Sequence, residues 1–260
     1  MTRTNLPRTL GTISLLCVVA IGLSGCGTTA PGELSQNQRL LENCPPGTSI
    51  NAVIYSDGTG SGRTDQNDTD RLKTIEDVAR KTAVCGGHLK VSVFSAGSAS
   101  TVTVYDSEIE LPGATENARL RKVPDAVAEV MGEIRETYAG AIAALPGGGT
   151  DINGLYRLAA EQQAQFGDGY QLNFVILTDG LNNLSGVVLD SHALSLEQAI
   201  ALADQVHVPE LPGATVTVAG LGRIAGQPAP SELVEGLVAY FDRLCENTGA
   251  ASCLSVTDWR

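Results

Sequence analysis

The chain has 260 residues, 43% of them hydrophobic and only 4% aromatic, so Val, Ile, Leu and Ala must fill its core. That length suits one domain of about 200 residues plus an appendage. A net charge of −12 leaves no basic stripe to neutralise phosphates and argues against a nucleic-acid partner.

The first 25 residues read as an address. Arg3 and Arg8 precede a mostly apolar run over 9–23, and Leu23-Ser24-Gly25-Cys26 follows. Small residues immediately before a cysteine match the bacterial lipoprotein signal. The expectation is a signal peptide over 1–25, lipid on Cys26, and a protein held on the extracytoplasmic side of the bacterial membrane. The alternatives are a plain secretory signal or a membrane helix, for which the apolar run is short. Cleavage would remove two arginines and no acid, taking the charge from −12 to −14. The polar stretch over 26–43 reads as the lipidated cysteine and its tether, leaving 44–260 as the domain.

An apolar run over 49–56 predicts the first strand. Asp65, Asp68 and Asp70 then open a helix whose apolar spacing runs through Leu72, Ile75, Val78 and Ala79; acids there suit a helix N-terminus better than a second cation site. Residues 89–94 and 101–105 alternate as two more strands. A helix opens near Pro124, with Val127, Val130, Ile134, Tyr138 and Ile142 on its buried face. Another follows Thr150, with Leu155, Leu158 and Ala159 inward. The remainder reads as strand 172–177, helix 196–206, strand 214–219, helix 233–244 and strand 253–256. Alternating strands and helices predict a doubly wound α/β fold, its mostly parallel sheet covered on both faces. Glu-Leu-Pro-Gly-Ala-Thr occurs at 110–115 and again at 210–215, but the flanks share nothing and both read as turns.

Three stretches carry chemistry. Val53-Ile54-Tyr55-Ser56-Asp57-Gly58-Thr59-Gly60-Ser61 ends an apolar run in one carboxylate and two hydroxyls alternating with glycines, a pattern that suits a small hard cation but also an ordinary polar turn. Pro146-Gly147-Gly148-Gly149-Thr150-Asp151 delivers Thr150 from a glycine-rich loop. Asn173-Phe174-Val175-Ile176-Leu177-Thr178-Asp179-Gly180 is another apolar run ending in an acid. In this order the three resemble the von Willebrand factor A domain and its metal-ion-dependent adhesion site, over roughly residues 48–258, with Thr59 where the first motif usually has Ser. The resemblance implies a six-stranded sheet with one antiparallel edge strand, formed by a hairpin of the second and third strands. It implies metal-site positions Asp57, Thr59, Ser61, Thr150 and Asp179. Mg²⁺, with Mn²⁺ as an alternative, would be held through the hydroxyls of Thr59 or Ser61 and of Thr150. Asp57 and Asp179 would act largely through water. A coordination position would stay open to an Asp or Glu of an unknown protein partner. The function expected is a membrane-anchored, metal-dependent protein-binding module; the alternative is an assembly component of an envelope complex with an incidental metal.

Cys17 lies in the signal, and the four cysteines beyond Cys26 allow three connectivities. Cys44 and Cys85 each precede a strand at what should be one end of the sheet, and Cys245 and Cys253 flank a short turn, so pairs Cys44–Cys85 and Cys245–Cys253 are expected. No enzyme is expected. His88, His192 and His207 lack metal-ligand spacing, and Asp190-Ser191-His192 lacks the glycine-flanked elbow of a nucleophile. No phosphate-binding Gly-Lys-Ser/Thr loop occurs, and Gly220-Leu221-Gly222 lacks a third glycine, so no nucleotide is implied.

Overall fold

The computed structural model describes residues 31–96, 100–184, 186–190, 192–226 and 228–259. The signal segment and Cys26 lie outside them. Six strands, β1 (Ser49–Asp57), β2 (Gly87–Phe94), β3 (Thr101–Ile109), β4 (Tyr170–Leu177), β5 (Thr215–Ala219) and β6 (Ser252–Val256), form one sheet in the order β3-β2-β1-β4-β5-β6. All neighbours run parallel except β2 and β3, so β3 is the antiparallel edge. This is the expected doubly wound, Rossmann-like α/β architecture.

Period-two alternation splits each central strand between two cores. Val53 and Tyr55 of β1 join Phe174, Ile176, Val216 and Val218 on one face, under helices α5 (Leu155–Phe166), α6 (Leu196–Ala203) and α7 (Ser231–Asn247). Ala52 and Ile54 join Leu89, Val91, Val93, Val175 and Leu177 on the other, under α2 (Asp65–Cys85) and α4 (Val123–Ala143). The face predicted for α4, from Val127 to Ile142, is buried as expected. Thr64 caps α2 by accepting from Asn67 N, and Asp65 and Asp68 lie in its first turn, the capping arrangement favoured for the acidic run.

One expectation is corrected. The segment read as a polar tether is, from Pro31 to Leu41, a helix, α1, docked on the domain. Leu34, Leu40 and Leu41 pack into the second core. Asn37 is fully buried between them, donating from Nδ2 to Leu120 O at the end of the short helix α3 (Glu116–Leu120) and accepting from Arg80 Nη1. Three leucines around one inward asparagine are too sparse to read as an apolar stripe, and packing supplies what periodicity lacks. The ordered domain therefore includes residues well before Cys44.

Both expected disulfides are present, Cys44–Cys85 and Cys245–Cys253. The first ties the α1–β1 connection to the end of α2. The second links α7 to β6.

β1 is flanked by β2 and β4, and the chain departs from it in opposite directions. In open α/β sheets the cleft outside the carboxyl ends of strands at such a switch point is where ligands bind. Asp57 and Thr178-Asp179 lie there.

Candidate metal centre

Asp57 is the last residue of β1 and is fully buried. Its Oδ1 accepts from Thr59 N at 2.8 Å and from Thr59 Oγ1 at 2.7 Å, while Oδ2 accepts from Thr178 Oγ1 at 2.7 Å. The carboxylate therefore bridges two neighbouring strand ends. Thr59 Oγ1 lies 3.3 Å from Ser61 Oγ, so the hydroxyls of the first motif converge. Gly58 lets Leu145 pack close, since a Cβ there would sit 2.3 Å from Leu145 Cδ1 and move that side chain.

Asp179, just past β4, is also fully buried. Its Oδ1 accepts from Leu181 N at 2.9 Å. Its Oδ2 has no hydrogen-bond partner among the described residues. Burial, and then the Asp57 charge, push its pKa up to about 6, against the opposing pull of the Leu181 amide, the Ser61 hydroxyl and the Arg71 guanidinium.

Thr150 arrives from the glycine loop and is nearly buried. Asn183 holds it: Thr150 N donates to Asn183 Oδ1 at 2.8 Å, and Asn183 N donates to Thr150 O at 3.2 Å. Gly149 has φ +153°, and a Cβ on it would strike Asn183 Oδ1 at 2.7 Å, so this approach requires glycine. Asn182 braces the same loops, accepting from Ile152 N and donating to Leu184 O and Val187 O. Asp151 N bonds Ser95 O, and Ser95 Oγ bonds Pro146 O, fastening the glycine loop to the end of β2.

Thr59, Ser61 and Thr150 line one cleft of about 320 Å³, together with Asn183, Leu145 and Gly147 to Gly149. The sequence-predicted residues are thus brought together: three hydroxyl-bearing residues on the walls and two buried acids bordering them. The donor set is all oxygen, which fits a hard cation, and Asp179 Oδ2 is an acceptor with no hydrogen-bond partner among the described residues. Among the described residues no group of three or more His, Cys, Asp or Glu could hold a metal, so a cation here would depend on the hydroxyls.

Sequence reasoning missed Arg71. It is fully buried on α2, and its Nη1 donates to Asp57 O at 2.8 Å and pairs with Asp68 Oδ1 at 3.3 Å. Trp259, which lies over its guanidinium, was missed too. The available signal for Arg71 was its place four residues before Ile75, on the stripe that buries Ile75, Ala79 and Thr82. Of the other singled-out residues, His192 Nδ1 lies 2.6 Å from Asp190 Oδ1 on the exposed surface, and Ser191 is outside the described residues. His88 pairs with Asp106 at 2.8 Å, with its ring 4.5 Å from Phe166.

Neither a protein-family model nor a curated protein matches the chain. Among solved structures it is similar to proximal thread matrix protein 1 of the mussel byssus (15% identity, TM-score 0.40, covering 82% of this chain and 44% of that one). It is also similar to the pilus adhesin SpaC of Lactobacillus rhamnosus GG (12%, TM-score 0.41, 82% and 28%). A third is the manganese-loaded TRAP protein of Plasmodium vivax (16%, TM-score 0.36, 82% and 70%). The chain spans less than half the length of the first two. All three TM-scores lie below 0.5, so any functional reading rests on the chain's own residues.

Proposed function

We propose that the chain is a membrane-anchored, extracytoplasmic module that binds a partner protein through a metal-ion-dependent adhesion site of the von Willebrand factor A type. The observation that carries this reading is the convergence of Asp57, Thr59, Ser61, Thr150 and Asp179, from three separate stretches, around one cleft at the sheet's switch point. Thr59, Ser61 and Thr150 would hold Mg²⁺, or Mn²⁺, through their hydroxyls, with the two acids behind them. The ion would supply attraction for a carboxylate oxygen of the partner's Asp or Glu. Asp57 orients the first hydroxyl, since Thr59 Oγ1 donates to it. Asn182 and Asn183 fix the height of Thr150 against the cleft. Binding is favoured over catalysis because both Asp57 oxygens are already engaged by structural donors.

Cys26 is the proposed anchor. α1 docks beside the Arg80-to-Cys85 end of α2, which leads into the start of β2. That is the end of the sheet opposite Asp57, and the nine residues of β1 separate the two ends by roughly 25 Å. This placement supports a cleft facing away from the bilayer.

A second reading, an envelope scaffold with an incidental ion, is favoured by Arg71, which already offsets the buried acids without any metal. The two readings separate in one experiment: calorimetric titration of Mg²⁺ into the purified protein and its Asp57→Ala and Thr150→Ala variants, followed by partner capture with and without chelator. Saturable binding that both variants lose while staying folded, with capture lost on chelation, is the expected result. Capture that survives chelation and both substitutions would establish the scaffold reading.

A further inference from the structure

Arg71 stands where a protein rarely leaves a cation without purpose. Two of its nitrogens, Nε and Nη2, have no hydrogen-bond partner among the described residues, and neither has Asp179 Oδ2. A Cβ placed on Gly62 would lie 2.8 Å from Arg71 Nη2 and 3.1 Å from Asp179 Oδ2. The guanidinium and the free carboxylate oxygen therefore border the same small space, which the missing side chain keeps open. Nη1 meanwhile holds the Asp57 carbonyl. Arg71 thus holds the backbone of Asp57 and faces the unpaired oxygen of Asp179.

It is also held in place. The Trp259 ring centre lies 5.0 Å from Arg71 Cζ, and the indole is buried. Trp259 O accepts from Thr74 Oγ1, one turn along α2 from Arg71. The ring occupies the space above Gly220, where a Cβ would meet its carbons at 2.1 Å. Arg223 fastens the preceding residues, donating from Nε to Thr257 O and pairing through Nη2 with Asp258 Oδ1 at 2.7 Å. A cation stacked on an indole and closed off from solvent keeps its charge directed at the acids.

We infer that Arg71 is a resident counter-cation of the metal cleft, locked by Trp259, that part-neutralises Asp57 and Asp179 and so weakens divalent-ion binding. This rests on the metal reading above. A divalent ion and the guanidinium then compete for the same negative charge, and anything that withdraws the 257–259 segment raises the affinity of a cleft it does not touch.

The test is Mg²⁺ titration by calorimetry of the full chain in detergent, comparing the parent with Arg71→Met, Arg71→Lys and Trp259→Ala, with far-UV circular dichroism to verify folding. Losing one buried charge beside the site is expected to tighten binding by about tenfold or more, at effective dielectric constants near 20. Lysine, which keeps the charge, should stay within about threefold of the parent. Trp259→Ala, which admits water to the guanidinium, should tighten binding by roughly threefold or more. A folded Arg71→Met protein that binds Mg²⁺ no tighter than the parent overturns the inference, as does a lysine variant that binds as tightly as the methionine one. If Arg71→Met does not fold, Trp259→Ala decides: tightening supports the counter-cation and unchanged affinity overturns it. If only Arg71→Met binds, Arg71 is strong enough to keep the ion out. If neither it nor the parent binds, the metal reading falls and this inference with it.

Discussion

Asp179→Asn should make the metal-free domain more stable while removing its response to Mg²⁺. The side chain is fully buried beside Asp57, and those two facts, burial first, hold its pKa near 6. In the unfolded chain the same carboxyl has the ordinary aspartate value. The folded state therefore binds the proton more tightly, and stability falls as pH rises between those two values, staying low above about 6. Converted to free energy the displacement is at most roughly 3 kcal/mol, and the part shared with Asp57 lowers what one substitution recovers. Asparagine keeps the oxygen that accepts from Leu181 N. Its amide nitrogen, however, would face Arg71 Nη2, donor against donor, so a gain of about 1–2 kcal/mol is expected at pH 7.5. The assay is urea unfolding in chelator with disulfides intact, at pH 7.5 and again at pH 4. The gain should be present at the first pH and shrink towards zero at the second, where the parent's Asp179 is protonated. Mg²⁺ should raise the midpoint of the parent at pH 7.5 and leave the variant unmoved. A variant less stable than the parent at pH 7.5, or a gain independent of pH, would refute the view that burial beside Asp57 makes the ionised Asp179 destabilising.

The two disulfides should differ in worth. With sequence separations of 41 and 8, Cys44–Cys85 constrains the unfolded chain more than Cys245–Cys253 does. Paired Cys→Ser replacements should therefore cost about 4 and about 2.5 kcal/mol respectively in urea unfolding, and the reverse order would count against the chain-entropy account. Asn182→Ala should cost about 2–4 kcal/mol, because Ile152 N, Leu184 O and Val187 O all lose their partner in a buried setting. Hydrogen exchange should quicken at the Ile152 amide, and a cost below about 1 kcal/mol would mean water replaces the side chain.

Most of the architecture was legible because the strands ending at Asp57 and Leu177 are apolar runs stopped by glycine-bearing motifs. The α4 stripe from Val127 to Ile142 repeats at helical spacing for the same reason: one face meets the sheet. The candidate cleft was legible where short oxygen side chains alternate with glycines after an apolar run, as in Asp57-Gly58-Thr59-Gly60-Ser61. What stayed hidden depends on contacts far away in sequence. The face of α2 was read through Leu72, which is only half-buried, when the buried stripe runs through its neighbour Arg71. A stripe containing arginine looks like a solvated face until its partners are known. Those partners, the Asp57 carbonyl and the Trp259 ring, lie 14 and 188 residues away and follow no local pattern. α1 was hidden in the same way, since its burial depends on Leu120, Arg80 and a disulfide rather than on its own periodicity.

Recasting 31–41 as a docked helix changes how far the proposed site can reach. A flexible tether over 26–43 would let the domain wander several tens of ångströms from the lipid proposed on Cys26. With α1 fixed on the domain, only residues 27–30 would stand between the proposed lipid on Cys26 and the docked helix, five residue steps that span at most about 18 Å. The cleft then sits at the far end of a sheet roughly 25 Å deep. On the proposed anchor at Cys26, a partner of the proposed kind would have to present its carboxylate within a shell on the order of 40 Å from the bilayer. That geometry favours a partner standing on the same membrane over one presented from a distant surface. It also gives Arg71 a use. Two components held on one membrane meet at high effective concentration, so under the proposed function a cleft of weakened ion affinity would still capture its partner and still release it.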